Sequence, residues 1–573
     1  MLSMEQTLTD RLPWLAHRPR IRRPMADVLG RLADEDGFNR LLACVGTAEG
    51  FDFVERVLEL LGTSYHVNPR ERENIPVDGG VLIVANHPLG MQDALALLQL
   101  VGSVRSDVRI LGNEWLSVVP PLKKLLLPVD VFGKGAASRL RGIYRALDQG
   151  QALIVFPAGE VSRMSAGGVR DGKWSDGFAR IALRSKVPVL PIHIAARNSA
   201  MFYGLSMLAK PLSTAMLPRE AVTTGSRRIG FSIGALVGAD ELAQRSGGSA
   251  ERAARLMRRH VYRVGQHRGL IFGGQAPLAH PEPVDQVAAE LMQSEKLADL
   301  GDGKQAWLFR GALDSSVMRE IGRLRELTFR KVGEGTGKRR DLDAYDPHYE
   351  HLVLWDTKAL RIVGSYRFGH GARLLAESGM SGLYTSSLFY YSPALESRLA
   401  EGLELGRSFV APAYWRSRAL DQLWQGIGLY LQRHPDLRYM FGPVSISVNI
   451  PREAREWIVA AHRHYFGAPG LAEARQPFVI SNDVNHGVQQ ALDGLDASAG
   501  LGKLKHHLDA LGVTLPVLYR QYVDLVDADG VQFLDFGEDP DFSGCVDGLV
   551  MLDLARLKPA KRSRYLGKAA QVE

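Results

Sequence analysis

The stretch VANHPLGMQD (84–93) places His87 behind an aliphatic run and Asp93 six positions later. An aspartate bonded to one ring nitrogen of a histidine fixes its tautomer, and the other nitrogen can then take a proton from an attacking hydroxyl group. Residues six apart on one regular helix do not share a face, so the pair meets only if residues 88–90 turn the chain back. Gly90 makes that turn sterically possible. The alternative is that His87 ends a strand and Asp93 is a solvated carboxylate of an early helical turn.

A second group of polar residues follows another aliphatic run, ALIVF (152–156). The segment FPAGEVSR (156–163) brings Gly159, Glu160 and Arg163 into one turn, and VPVLPIHI (187–194) follows it. In this order, the N-H-…-D, F-P-x-G and V-P-V-x-P blocks resemble the glycerolipid acyltransferases, which acylate a hydroxyl group from an acyl thioester. The resemblance covers about residues 60–220.

This resemblance implies roles for the polar residues of the three blocks. His87 would be the general base, Asp93 would orient it, and Gly159, Glu160 and Arg163 would shape the acceptor site. The five residues between His87 and Asp93, and the extra residue before Arg163, resemble the haemolysin-like branch of the superfamily. These departures weaken the case for a glycerol phosphate acceptor, because Arg163 can instead meet a carboxylate in a bidentate fork.

A third group of residues lies in LELGRSFVAPAYWRS (403–417), which contains an E-x-x-R pattern. On a straight strand Glu404 and Arg407 point to opposite faces, because their separation is odd. A bulge would splay the strand and free backbone groups. The alternative is a surface salt bridge between the two side chains.

Together with DAYDPHYEHLVLWD (343–356) and IVGSYRF (362–368), this segment resembles the GNAT fold, in the branch of acyl-homoserine-lactone synthases and ornithine N-acyltransferases. The resemblance implies that Glu404 helps to deprotonate an α-amine and that Arg407 holds the strand or the carbonyl region. Asp343 and Asp346 would position the substrate amine, unless they are only exposed loop acids.

The turn RSRALDQ (416–422) bears on the acyl donor. It lacks the glycines of the pyrophosphate loop of acetyl-CoA users, but Arg416 and Arg418 offer charge to a phosphopantetheine phosphate. A helix starting near Leu420 offers its N-terminal amides. We therefore expect acyl carrier protein as the donor's carrier, with acyl-CoA left open, and neither a tightly bound cofactor nor a metal.

The pattern of the chain predicts two domains, 1–275 and 276–573, with the break at the glycine- and proline-rich GGQAPLAHPEP (273–283). Short aliphatic runs alternating with helical patterns predict an α/β first domain, like that of the glycerolipid acyltransferases. Successive strands, then a helix and another strand, predict a GNAT-like α+β second domain with a mixed sheet. It would begin with a helix over 287–300 capped by Asp285.

The fusion of these two domains resembles the bifunctional ornithine lipid synthases, and PVLYRQY (516–522), LDFGEDPDF (534–542) and CVDGLVMLDLARLKP (545–559) resemble their C-terminal block. The resemblance implies two steps. The second domain would move a 3-hydroxyacyl group to the α-amine of ornithine, and the first would acylate the hydroxyl group of the resulting lyso-lipid.

Other readings stay open at this point. One is a single-activity lysophospholipid acyltransferase whose C-terminal domain binds acyl carrier, and another is a non-enzymatic, haemolysin-like membrane-binding protein. The amino acid can be ornithine, lysine, glutamine or glycine. Asp539, Asp541 and Asp547 are the candidates for reading a side-chain amine.

The composition is that of an ordinary globular protein, with 46% hydrophobic and 23% charged residues and a formal net charge of +7. No apolar stretch has the length of a membrane-spanning helix, and the N-terminus carries no hydrophobic signal core. The two cysteines, Cys44 and Cys545, indicate a reducing compartment without a disulfide or metal framework. We therefore expect a cytoplasmic protein.

The positive charge fits an anionic membrane surface or an acidic carrier protein. Nucleic acid is not expected as a partner, because zinc-finger spacing, RNA-binding signatures and long basic blocks are missing. The basic RPRIRRP (18–24) and the apolar, lysine-bearing segment 116–127 suit a membrane surface. We expect peripheral association with the inner membrane.

Overall fold

The computed structural model describes residues 18–112, 120–128, 136–165, 168–208, 216–223 and 226–567, together with Glu5 and Thr9. Part of the apolar stretch 116–132 and the last six residues of the tail lie outside these ranges. The chain divides into two compact units, Met1–His280 and Pro281–Glu573. No helix among the described residues is long and apolar enough to cross a membrane.

The first unit alternates helices and strands along most of its length. Its helices are α1 Pro19–Ala33, α2 Glu35–Val45, α3 Gly50–Leu60, α4 Pro69–Arg72, α5 Met91–Gly102, α6 Ala136–Asp148, α7 Gly177–Ser185, α8 Ala200–Leu208, α9 Leu217–Thr223, α10 Ala239–Ser246 and α11 Ala250–Val264. Its strands are β1 Thr63–Val67, β2 Val81–Ala85, β3 Val108–Gly112, β4 Leu126–Pro128, β5 Ala152–Val155, β6 Arg163–Ser165, β7 Gly168–Arg170, β8 Val189–Ala195 and β9 Arg227–Ile233.

Seven of these strands form one sheet in the order β1-β9-β8-β2-β5-β3-β4, in which only β8 and β9 pair antiparallel. On β2, Val81, Ile83 and Ala85 pack into one apolar core, and Leu82 and Val84 pack into another. A strand that is apolar at every position is covered on both faces, as in α/β proteins. The predicted α/β class of this part of the chain is confirmed.

The register of the sheet decides which loops meet. Val84 on β2 pairs with Val155 on β5 and with Pro191 on β8, all in parallel. The carboxyl ends of parallel strands lie at one edge of a sheet, where α/β proteins bind their ligands. The loop after β2, which carries His87, therefore lies beside the loop after β5, which carries FPAGEVSR.

The second unit contains helices and a large β-sheet. Its helices are α12 Val284–Met292, α13 Ser316–Val332, α14 Gly371–Ser378, α15 Glu396–Ala400, α16 Ala419–Arg433, α17 Arg452–Phe466, α18 Asn482–Leu492, α19 Ala497–Ala510, α20 Val517–Leu525 and α21 Pro559–Tyr565. Its strands are β10 Glu295–Asp299, β11 Lys304–Phe309, β12 Glu350–Asp356, β13 Arg361–His370, β14 Phe389–Tyr391, β15 Gly402–Val410, β16 Tyr439–Ile446, β17 Ala472–Ala474, β18 Val531–Asp539 and β19 Cys545–Asp553.

Eight strands form a sheet in the order β10-β11-β12-β13-β15-β16-β19-β18. All neighbours pair antiparallel except β15 and β16, which are parallel. The expected mixed sheet is confirmed. The parallel pair is short, because only residues 402–404 and 439–441 are in register.

The helix predicted over 287–300 is wrong in its second half. The helix ends at Met292, and residues 295–299 form β10, an edge strand paired with β11. Gly301 and Gly303 adopt φ values of 78° and 71°, which allow a tight connection between the two strands. Asp285 does not cap the helix, because Pro283 occupies the N-cap position and Asp285 lies in the first turn.

Candidate active sites

The first candidate site is the turn between β2 and α5. Gly90 has φ 97° at the N-cap of α5, and the reversed chain brings His87 Nδ1 to 3.0 Å from Asp93 Oδ1. The amide of Leu89 donates to Asp93 Oδ2 at 2.8 Å. Asp93 is fully buried, whereas the side chain of His87 is 18% exposed. Residues 88–90 thus make the turn that the spacing required.

His87 is held in an orientation suited to proton transfer. Its ring stacks on Phe156 with the centroids 4.1 Å apart. Burial lowers its pKa, but the carboxylates of Asp93 and Asp171 outweigh burial and raise the pKa above the ordinary value. With Nδ1 directed at Asp93, Nε2 is the ring nitrogen left to exchange a proton with a substrate.

The sequence did not identify Asp171 as part of this site. Its carboxylate accepts from the His87 amide at 3.2 Å, from Ser162 Oγ at 2.5 Å and from Trp174 Nε1 at 2.8 Å. The Ser162 amide donates to the His87 carbonyl at 2.7 Å. Asp171 therefore joins the loops after β2 and β5. In the sequence, the spacing of Asp171 and Trp174 was the local signal that could have indicated this contact.

Gly159, Glu160 and Arg163 lie together in the turn after β5, as expected. Gly159 adopts φ 66°, and no atom lies within 4 Å of where a Cβ would be. Arg163 Nε lies 3.2 Å from Glu160 Oε2, and Arg163 Nη1 donates to Ser206 Oγ at 2.8 Å. The guanidinium group is therefore positioned by an acid and a hydroxyl group.

A buried network behind α5 was also missed. Arg227 Nη1 donates to Gln92 and Asn198, and Arg227 Nη2 lies 3.3 Å from Glu220 Oε2. Asn198 Nδ2 donates to the Pro88 carbonyl at 3.0 Å, which fixes the turn beside His87. These residues come from four separate segments of the chain, so no local spacing in the sequence predicts the network.

The second candidate site lies where β15 and β16 separate. Opposite Ser365 and Arg367 on β13, β15 holds one residue more than regular pairing allows, which is a β-bulge. Arg407 lies in this bulge with φ 47°, in the left-handed region that costs a non-glycine residue energy. Of the two alternatives for the E-x-x-R segment, a bulge or a surface salt bridge, the structure has the bulge.

A buried cluster of charges holds the bulge. Arg407 lies 3.4 Å from Asp343 and 3.6 Å from Asp341, while Arg367 lies 2.7 Å from Asp343 and 3.1 Å from Asp346. Arg325 pairs with Asp346 at 2.7 Å, and both side chains are fully buried. Despite burial, the arginines hold the pKa values of Asp343 and Asp346 below the usual range.

The alternative that Asp343 and Asp346 are exposed loop acids is therefore wrong, because both are enclosed and paired with arginines. Because of this pairing, Asp343 and Asp346 hold the side chains of Arg367 and Arg407 in place. The sequence did not single out Arg325, Arg367 or Asp341, although Arg367 sits in the mainly apolar run IVGSYRF, where a charge is unusual.

Glu404 does not lie where its expected role as a base requires. It is 1% exposed and is absent from the walls of the cavity described below. Its carboxylate accepts from the Thr385 amide at 2.7 Å, the Thr385 hydroxyl at 2.6 Å, the Tyr384 amide at 3.2 Å and the Tyr349 hydroxyl. With its lone pairs occupied, Glu404 fixes residues 384–385 instead of facing a substrate.

The cavity at this site has a volume of about 480 Å³ and opens between residues 405–408 of β15 and residues 443–445 of β16. Its apolar wall includes Leu405, Val444 and Leu518. The volume is within the range of pockets for small molecules. The chain therefore offers a substrate space directly beside the bulge.

Three carboxylates line this cavity: Glu334, Asp539 and Asp547. Burial, and then the neighbouring Asp539, raise the pKa of Asp547 to about 7. Burial and then Asp547 raise the pKa of Glu334 to about 7, and burial raises the pKa of Asp539. Asp541 is exposed and is not among the lining residues, so the structure separates it from the other two aspartates.

Arg416 and Arg418 lie on the surface at the start of α16, next to the helix N-terminus. Arg418 occupies the N-cap position and lies 3.8 Å from Asp421. The N-terminus of a helix and two exposed guanidinium groups form a suitable place for a phosphate. Their expected role toward phosphopantetheine stays a prediction.

Two family models match the chain, one in each part. A family model described as Acyltransferase matches residues 7–267, and one described as Acetyltransferase (GNAT) domain matches residues 324–425. Among solved structures, a 1-acyl-sn-glycerophosphate acyltransferase of Thermotoga maritima shares 19% identity and covers 44% of this chain and 99% of its own, with a TM-score of 0.26.

Three relatives are named as N(alpha)-acyltransferases or as an O-acyltransferase. A glycine N(alpha)-acyltransferase of Bacteroides thetaiotaomicron is 33% identical and covers 35% of this chain, which spans 65% of that protein. A lyso-glycine lipid O-acyltransferase of the same organism is 32% identical over 32% of this chain and 67% of its own length. An L-ornithine N(alpha)-acyltransferase of Brucella abortus is 31% identical over 29% of this chain and 73% of its own length.

An acyltransferase family model matches the first part of the chain and a GNAT family model matches the second, and each of the three relatives covers about a third of the chain. The reading as a non-enzymatic membrane-binding protein is therefore set aside. The chain belongs to the family of these N(alpha)-acyltransferases and O-acyltransferases, and it is an enzyme of the transferase class.

Proposed function

We propose that this enzyme makes ornithine lipid in two steps. The second unit transfers a 3-hydroxyacyl group to the α-amine of ornithine, and the first unit acylates the hydroxyl group of that product. The observation that carries the proposal is the presence of two different sites, a histidine–aspartate pair suited to a hydroxyl nucleophile and an acid-lined cavity suited to an amine.

The acids of the cavity support ornithine over glycine. Glu334, Asp539 and Asp547 stand against one guanidinium group in the cavity wall, that of Arg407, which is already paired with Asp341 and Asp343. Such a surface favours a ligand with positive charge. Ornithine and lysine carry a second ammonium group, whereas glycine and glutamine do not.

The first step requires a neutral amine. The α-ammonium group of ornithine gives a proton to Asp547, whose raised pKa makes it an effective acceptor near neutral pH. The nitrogen attacks the thioester carbonyl, the C–N bond forms, the C–S bond breaks, and the thiol leaves with a proton. Arg407 and its aspartates keep the bulge in shape for this attack.

In the second step, a hydroxyl group is the nucleophile. His87 Nε2 takes its proton as the oxygen attacks a second acyl thioester, and the C–O bond forms while the C–S bond breaks. His87 then returns the proton to the leaving thiol. Asp93 stabilises the imidazolium form between these two transfers.

The proposal also includes acyl carrier protein as the acyl donor's carrier and binding of the enzyme to a membrane surface. Acyl carrier protein is acidic and suits the exposed Arg416 and Arg418. A lipid product must reach a membrane, and α1 exposes Arg20, Arg23, Met25 and Val28, a mixture of basic and apolar side chains typical of helices at anionic membrane surfaces.

The test is expression of the full chain in a host without aminolipids, followed by mass spectrometry of the extracted lipids. We expect a diacylated ornithine lipid. A diacylated lipid of another amino acid would show that this amino acid, and not ornithine, is the substrate. A glycerolipid product without any amino acid would favour the single-activity lysophospholipid acyltransferase and overturn the proposal.

A further inference from the structure

The short antiparallel strands β6 and β7 begin beside the first candidate site. Arg163, which is expected to shape the acceptor site, pairs with Arg170 across the two strands, so Ser162 and Asp171 stand opposite each other at the end of the pair. Ser162 Oγ donates to Asp171 Oδ1 at 2.5 Å, and both side chains are buried. The strand pair that carries Arg163 is therefore closed at this end by a bond between two side chains.

The same carboxylate oxygen also binds the loop of the general base. Asp171 Oδ1 accepts from the His87 amide at 3.2 Å, and the Ser162 amide donates to the His87 carbonyl at 2.7 Å. The other oxygen, Oδ2, accepts from Trp174 Nε1 at 2.8 Å. One buried oxygen thus joins the backbone of His87 to the end of the β6–β7 pair, and all three partners of the carboxylate are donors.

Helix α11 holds the backbone of Asp171. The Asp171 amide donates to the Tyr262 hydroxyl group at 2.8 Å, and Arg258 Nη2 donates to the Asp171 carbonyl at 2.5 Å. Both backbone groups and both carboxylate oxygens are therefore bonded. A side chain fixed in this way can in turn fix the groups around a reacting centre.

Asp171 also acts on His87 through its charge. The carboxylates that raise the pKa of His87 come from two elements, Asp93 from α5 and Asp171 from the end of β7, while Phe156, which stacks on the ring, is uncharged. Burial raises the pKa of the Asp171 carboxyl group, whereas the bonds that it accepts favour the ionised form. A neutral residue in place of Asp171 should therefore make His87 less basic.

We propose that Asp171, as an ionised carboxylate, is a positioning residue for O-acylation, which holds the loop of His87 against the strand pair of Arg163. The proposal rests on the proposed function, in which the first unit acylates a hydroxyl group. It adds the residue that keeps the general base and the acceptor site at a fixed separation. A displacement of about 1 Å in such a site can cost roughly a hundredfold in rate.

The first test replaces the carboxylate by an amide. In Asp171→Asn, the NH2 group must face either Trp174 Nε1 or the His87 amide, so one hydrogen bond becomes a contact between two donors. We expect kcat for O-acylation of N-acylornithine to fall at least about tenfold, and N-acylation to stay within about twofold of wild type. Asp240→Asn, at an exposed position of α10, is the matched control. Wild-type O-acylation in Asp171→Asn would overturn the proposal.

A second substitution distinguishes positioning from packing. Trp174→Phe removes the donor to Oδ2, so in the double variant Asp171→Asn/Trp174→Phe the amide oxygen can accept from His87 and Ser162 while the NH2 group faces no donor. We expect kcat of the double variant to be at least about threefold higher than that of Asp171→Asn. A further loss would refute the positioning role, because independent packing defects add.

The pH profile supplies a readout that packing does not move. The midpoint of O-acylation should lie at lower pH in Asp171→Asn and in the double variant than in wild type, and should be unchanged in Trp174→Phe, which keeps the charge. An unchanged midpoint in both variants without the carboxylate would show that Asp171 is not ionised and would contradict the proposal.

Two further controls keep the test decisive. If Asp171→Asn does not fold, Ser162→Ala decides: it removes the bond across the β6–β7 pair and should lower kcat about threefold, and an unchanged kcat would count against the proposal. If wild type acylates the hydroxyl group of no lyso-lipid, the proposed function fails, and this inference fails with it. If wild type does so and Asp171→Asn equals it, only the role of Asp171 has been assigned wrongly.

Discussion

At the scale of a single residue, the protonation state of Asp547, the proposed proton acceptor, also affects the stability of the fold. Burial raises its pKa to about 7, whereas an aspartate in an unfolded chain has an ordinary value near 3.8. Between these two values the folded state binds more protons than the unfolded state, so stability falls as pH rises from about 4 to about 7.

Asp547→Asn should therefore raise the melting temperature of the protein at pH 8 and leave it almost unchanged at pH 4. The neutral amide has no charge to bury, and the gain at pH 8 corresponds to roughly 1 kcal/mol or more. Calorimetry at both pH values measures it, with exposed Asp541→Asn as the control. A lower melting temperature at pH 8 would show that Asp547 is ionised and well paired.

Asp539 bears on the choice of amino acid. It lines the cavity but is not a proton acceptor in the proposed mechanism. Asp539→Asn should lower kcat/KM for ornithine at least about tenfold, because a charge partner of the side-chain ammonium is lost, and should change the small rate with glycine much less. Competition between the two amino acids measures this ratio. Equal losses for both would argue against side-chain recognition by Asp539.

His87 predicts the pH dependence of the second acylation. A base must be neutral to accept a proton, and the pKa of His87 is raised above its usual value of 6.5. The rate of O-acylation of N-acylornithine should therefore rise with pH through a midpoint above about 6.5. Asp93→Asn removes a carboxylate that raises the pKa, so the midpoint should move down while the rate falls. An unchanged midpoint would show that another group titrates.

At the scale of elements, the turn between β2 and α5 decides whether the first site exists. Gly90 has φ 97° and ψ −111°, a conformation reserved for glycine. Its Cβ position lies 3.4 Å from Val161 Cγ1. A side chain here forces the turn open and separates His87 from Asp93.

Gly90→Ala should lower O-acylation at least about tenfold and leave N-acylation within about twofold of wild type. Both rates are measured separately with purified enzyme. Gly238→Ala is the matched control, because Gly238 has φ −62° and no atom within 4 Å of its Cβ position. Normal O-acylation in Gly90→Ala would show that the pair does not depend on this turn.

The elements themselves were largely predictable from the sequence. Runs such as VLIVA, which are apolar at every position, favour buried strands, and a bulge at Arg407 was one of two alternatives left open for the Glu404–Arg407 segment. β10 was not predictable, because SEKLAD has helical propensity and only pairing with β11 makes it a strand.

The site was less predictable than the elements. His87 and Asp93 are close in sequence, whereas Asp171 lies 84 residues from His87. The direction of Glu404 depends on hydrogen bonds to residues 384–385, which no local pattern contains. Long-range contacts of this kind decide which acids face a substrate.

At the scale of the whole molecule, each of the two units contains its own candidate site, and in the proposed function the lyso-lipid links the two reactions. Each site should therefore work in a chain whose other site is disabled. The order of the steps is fixed by chemistry, because the hydroxyl group acylated in the second step arrives with the acyl group of the first.

The most direct measurement is the lipid content of an aminolipid-free host that expresses single-site variants of the full chain. We predict that His87→Ala accumulates mono-acylated ornithine, that Asp547→Asn yields no aminolipid, and that co-expression of both variants restores the diacylated lipid. A fully diacylated product from His87→Ala alone, or from Asp547→Asn alone, would contradict the assignment of one site to each step.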